Sequence, residues 1–120
     1  MSENKKPSIL KNATSHYQRQ IAGDLKKIHV PEWDADLYYR TVSTLRAESE
    51  VVELTRAGKS VEALVVSIIN KARDEEGNLV FSKHDKATLM NEVDPQVILR
   101  VAGQMNGSED LPTIEELEKN

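Results

Sequence analysis

Between Val61 and Ala72 the apolar residues fall at Val61, Leu64, Val65, Ile68, Ile69 and Ala72, the spacing of one face of a helix. Ser60 opens this segment and Glu62 lies in its first turn, where the helix dipole favours an anion. Its β-branched residues have modest helix propensity, so packing has to hold it, and it is expected to form the centre of the core. A second stripe, Val97, Ile98, Val101, Ala102 and Met105, follows Asp94-Pro95, an N-cap residue with proline at the first helical position, and stops at Asn106-Gly107. Ser43 or Thr44 can cap a third helix that carries Ala47, Val51 and Leu54 on one face and ends at Ala57-Gly58. Ser82-Lys-His-Asp85 has the spacing of a capping box and starts a fourth, expected to run to about Val93.

The period changes elsewhere. Leu25 to Val30 and Leu37 to Val42 read as two strands joined by the turn-rich Pro31-Glu-Trp-Asp-Ala-Asp36, so a β-hairpin is expected. Asp74-Glu-Glu-Gly-Asn78 is a turn, and Leu79-Val-Phe81 is a short third strand able to pair with the hairpin. Ile9, Leu10, Tyr17 and Ile21 are scattered anchors in an otherwise polar start, consistent with a flexible segment over residues 1–24 and a short helix around Thr14 to Ile21. The expected fold is a small, mostly helical α+β domain over residues 25–107, with a hairpin and a short third strand against four helices. Residues 108–120 form an acidic tail expected to be mobile, with Thr113 to Glu116 spaced for one helical turn.

Composition narrows the class. A chain of 120 residues, 38% hydrophobic and 30% charged, suits one soluble domain. The absence of cysteine excludes disulfides and thiolate zinc sites. The longest aliphatic run, Ala63-Leu-Val-Val66, falls far short of the roughly 20 residues of a membrane span, and Met1 to Pro7 has no apolar signal segment. The net charge of −4 is concentrated in the tail, where Glu109, Asp110, Glu115, Glu116 and Glu118 face only Lys119. The remaining body is formally neutral, which disfavours binding of phosphate backbones.

No constellation carries catalysis. In an EF-hand register with Gly77 at loop position six, position one would be Ala72 and the required final acid would be Lys83, so the acidic turn is a connector. His16, His29 and His84 are not in ligand-spaced pairs, and no strained nucleophile elbow accompanies His84-Asp85. The carboxylates fall on turns, helix starts and the tail, as solvated charge does. The five glycines form no phosphate loop. The pair of helices at 43–57 and 60–72 mimics a helix-turn-helix, the basis of a rival reading as a DNA-binding regulator of a mobile element. Its second helix is too apolar to read bases. Trp33, the only tryptophan, lies in a turn beside Tyr38 and Tyr39 and reads either as a lid on the core or as a contact anchor.

Val30-Pro-Glu-Trp33, Leu37-Tyr-Tyr-Arg40, Thr44-Leu45 and Asp74-Glu-Glu-Gly-Asn-Leu-Val-Phe-Ser82 occur in that order, followed by helices through Ile98 to Met105-Asn106-Gly107. Over residues 28 to 107 the chain resembles the tail assembly chaperones of long, non-contractile-tailed bacteriophages (lambda-like siphophages). The resemblance implies a non-enzymatic protein without cofactor or metal, acting in the host cell cytoplasm. Such a protein binds the tape measure protein and keeps it soluble, brings in tail tube subunits, associates with its own copies and is absent from the finished virion.

It also implies a longer product made by ribosomal frameshifting, whose extension recruits tube protein. Codons GAA-AAA-AAC for Glu118-Lys-Asn120 would supply a slippery run, which sequencing of the gene checks. Such work needs exposed apolar surface. The candidates are Trp33, Tyr38 and Tyr39 at the hairpin, with whatever part of Ile98 to Met105 the core leaves uncovered.

Overall fold

The computed structural model describes residues 8–23 and 25–107. The elements run α1 (Ile9–Ile21), β1 (Lys26–Val30), β2 (Ala35–Tyr39), α2 (Leu45–Arg56), α3 (Ser60–Lys71), α4 (Lys86–Asn91) and α5 (Pro95–Met105). One-turn 3-10 segments at Pro31–Trp33 and Lys83–Asp85 connect them. The architecture is the expected small α+β domain, with five helices in place of four. The acidic tail and its single helical turn lie outside the described residues, as do residues 1–7 of the N-terminal segment.

α1 starts at Ile9, earlier than the spacing of Thr14 to Ile21 suggests, because Ser8 caps it by accepting from Lys11 N–H at 3.3 Å. None of its residues is fully buried, and only Ser15, Tyr17 and Ile21 are half-buried. The hairpin is tighter than expected. The Pro31–Trp33 turn and Asp34, held at φ 51°, reverse the chain quickly enough for β2 to begin at Ala35. Strand pairing then runs from Val30↔Ala35 to Lys26↔Tyr39, and Arg40 to Val42 leave the ladder. Ile28 and Val30 on β1 and Leu37 and Tyr39 on β2 point into the core, as period-two alternation requires.

The third strand does not form as a regular element. Isolated bridges Tyr38↔Arg73 and Arg73↔Leu79 replace it, so Arg73 stands between the hairpin and the Leu79–Phe81 segment. The helix expected over Ser82 to Val93 is also divided. Ser82 Oγ accepts from His84 N–H and the Asp85 carboxylate accepts from Ser82 N–H, completing the capping box around a 3-10 turn before α4 begins.

α5 follows its sequence signals closely. Asp94 accepts from Gln96 N–H at 2.9 Å and Pro95 occupies the first turn.

The core gathers Ile28, Val30, Leu37 and Tyr39 from the hairpin, Val65, Ile68, Ile69 and Ala72 around α3, Leu89 from α4, and most of α5. α3 packs against α2, α4 and α5 at once. Its buried surface is therefore wider than one stripe. Ala63, Val66 and Ser67 are buried as well, whereas Val61 at the exposed first turn is not. Burial on this scale rules out α3 as a groove-reading helix, since base contacts require an exposed face. No helix among the described residues is long and apolar enough to cross a membrane.

Candidate functional site

Period-two alternation separates the aromatic residues that adjoin in sequence. Tyr39 points inward and is 9% exposed, while Tyr38 faces the other side of the sheet, beside Arg73. Ile98 and Met105 lie in the core at 6% and 2% exposure. The expectation of accessible apolar surface at Tyr39, Ile98 and Met105 is therefore corrected: α5 is enclosed by α3 and β1, which cover its apolar face. Of the five candidates, Trp33 and Tyr38 remain accessible.

Trp33 closes the 3-10 turn with its indole half-buried. It meets Phe81 edge to face, with ring centroids 6.3 Å apart and an interplanar angle of 86°. The pair forms one wall of a cleft of about 530 Å³ floored by Leu37 and Leu89 and closed by Val80 and Val93. Arg100 on α5 fastens the turn beneath Trp33 by donating to both oxygens of Glu32, at 2.9 and 2.6 Å. These hydrogen bonds, reinforced by Glu32's own backbone and opposed by partial desolvation, hold the Glu32 carboxyl down at about 2.

Leu79 and Val80 continue the apolar surface beside the cleft, 56% and 42% exposed. Among the described residues their backbone is also incompletely paired. Asp74 N–H donates to Asn78 C=O and Val80 N–H to Ala72 C=O, bracketing the Arg73–Leu79 pair. In that geometry the N–H and C=O of Leu79 point away from Arg73, toward an open edge. A run of three apolar residues bounded by a turn and a cap was visible in the sequence. Its exposure was not, because a third strand would have covered one side of it.

The polar clusters among the described residues are ion pairs and hydrogen-bonded pairs at the surface. His29 Nδ1–H donates to Asp36 at 2.6 Å across the hairpin, and the pair is solvent-exposed. The His29 hydrogen bond, with Lys27 at 3.8 Å adding a smaller attraction, lowers the Asp36 carboxyl. Lys86 does the same for Glu62 through a 2.8 Å bond that ties α4 to α3. Among the described residues neither carboxylate is hydrogen-bonded to a serine or threonine hydroxyl. Among the described residues no group of three His, Asp or Glu side chains is placed to hold a metal ion.

No protein-family model matches the chain, and no curated protein matches it. Among solved structures, the tail assembly chaperone of bacteriophage HK97 aligns over 83% of this chain and 99% of that chain, with a TM-score of 0.61 at 20% identity. This chain has the fold of a phage tail assembly chaperone.

Proposed function

We propose that this chain is a tail assembly chaperone that binds the tape measure protein, keeps it soluble and brings tail tube subunits to it without joining the finished virion. The fold shared with the HK97 tail assembly chaperone over nearly all of that protein carries the reading. The surface supports it. An open cleft walled by Trp33 and Phe81, continuous with exposed Leu79 and Val80, can shelter apolar side chains of a long partner and release them again. The work is done by contact, with no bond made or broken.

The protein acts in the host cell cytoplasm, where the tail is built, and associates with its own copies to cover a long partner. A longer frameshifted form carries the contact to the tail tube protein. Coexpression with the tape measure protein from the same genome tests the central claim. The wild-type chain is expected to move that protein from the pellet to the soluble fraction and to copurify with it. Soluble yield unchanged by the presence of this chain would refute the reading.

A further inference from the structure

We infer that a pocket between α1, the segment joining β2 to α2, and the end of α3 binds a carboxylate group. The pocket encloses about 270 Å³, and Arg40, Lys71 and Arg73 all line it. Their charges are poorly matched. Arg40 Nε is buried without a hydrogen-bond partner. Among the described residues neither Arg40 nor Arg73 has a carboxylate within ion-pair distance, and Arg73 Nη1 donates only to Gly77 C=O, at 3.2 Å. Lys71, whose side chain is 11% exposed, reaches Glu48 only at 3.8 Å. Its short bond, at 2.6 Å, goes to the neutral amide oxygen of Asn106. Glu48 is itself engaged by Ser43 Oγ. Among the described residues, three cations thus line a pocket whose wall contains no carboxylate.

A buried, unpaired guanidinium N–H is costly, and such groups are normally satisfied by a partner or a ligand. The fork of Arg40 suits a carboxylate with two acceptor oxygens. Thr44 caps α2 at the pocket wall, so the positive end of that helix adds to the same field. Two sources can supply the group. One is this chain's own acidic run, whose Glu109 and Asp110 follow Asn106 within a few residues, a reach of about 10 Å of extended chain. Tethering there would give a high effective concentration. The other is an acidic segment of a separate chain. Tyr17 and Ile21 of α1, both half-buried, form the outer wall, so an occupied pocket would also fasten α1, which has no fully buried residue, to the body.

The test uses the full chain, the Arg40 Nε–H resonance and a synthetic peptide of residues 108–120. In a chain with Glu109, Glu115, Glu116 and Glu118 changed to Gln and Asp110 to Asn, the peptide is expected to bind and to shift that resonance. Adding Arg73→Gln or Lys71→Gln should weaken binding roughly tenfold, and the fully amidated peptide should not bind. Arg40→Gln and the charge-retaining Arg40→Lys, both read by calorimetry, should weaken it too, Lys less than Gln.

Failure of the wild-type chain to take up the peptide would assign the pocket to the chain's own tail. Equal uptake by wild-type and neutralised chains would assign it to another chain. An unmoved Arg40 resonance, or affinity indifferent to Arg40, Lys71 and Arg73, would overturn the site.

Discussion

Valine behaves in opposite ways in two parts of this molecule. In the α3–α5 core, Val65, Val97 and Val101 are almost wholly removed from water, whereas Val80 on the open edge is 42% exposed although it borders the same sheet. The difference comes from what packs over each position. α3 is covered by helices on three sides. The Leu79–Phe81 segment is held by one isolated bridge, from Leu79 to Arg73, on one side and by nothing described on the other. The first region uses its apolar side chains to hold the fold. The second leaves apolar side chains and strand-edge backbone groups available to another chain, which separates stability from contact in a single small domain.

Substitutions should reveal that separation as two independent effects. Ile68→Ala, at the fully buried centre of α3, is expected to cost about 3–4 kcal/mol in urea unfolding while leaving any surviving folded molecules able to hold the tape measure protein. Loss of partner binding in proportion beyond the loss of folded protein would break the comparison. Trp33→Ala removes one partner of the edge-to-face pair and should cost about 2 kcal/mol, less than a core truncation because the indole is half-exposed. Its larger effect should appear as reduced soluble tape measure protein on coexpression. Wild-type solubilisation by this variant would remove Trp33 from the contact surface.

Smaller changes sharpen the division. Asp94→Ala deletes the cap of α5 and should lower stability by about 1 kcal/mol without touching the cleft.

The Glu32–Arg100 pair predicts a pH effect. Because the folded carboxyl is held at about 2, below its ordinary value of 4.5, the pair contributes in full above pH 4.5 and is lost as pH falls through about 2. The stability difference between wild type and Glu32→Gln, followed by acid titration of urea unfolding, should be constant above pH 4.5 and shrink toward zero below it. The pair is solvent-exposed, so added salt should reduce the difference. Val80→Asp should change unfolding least, within about 0.5 kcal/mol, yet it places a charge at the rim of the cleft and should lower tape measure solubilisation. An effect confined to stability would show that this edge is merely structural.

Local signals in the sequence determined much of this protein. The serine, threonine and aspartate caps at Ser82, Thr44 and Asp94 place their helix starts, the proline at 95 fixes the first turn of α5, and the 3.6-residue spacing identifies α3 as the central helix. These depend on hydrogen bonds within a few residues, so the chain carries them wherever it packs.

Tertiary structure alone decided which apolar residues stay outside. Tyr38 and Tyr39 differ only in which face of a strand each occupies, and Ile98 and Met105 differ from Leu79 and Val80 only in having helices and a strand laid over them. The convergence of Arg40, Lys71 and Arg73 likewise required the end of α3 to meet the exit of the hairpin. Burial and charge proximity are relations between distant segments, and no spacing along a single chain encodes them.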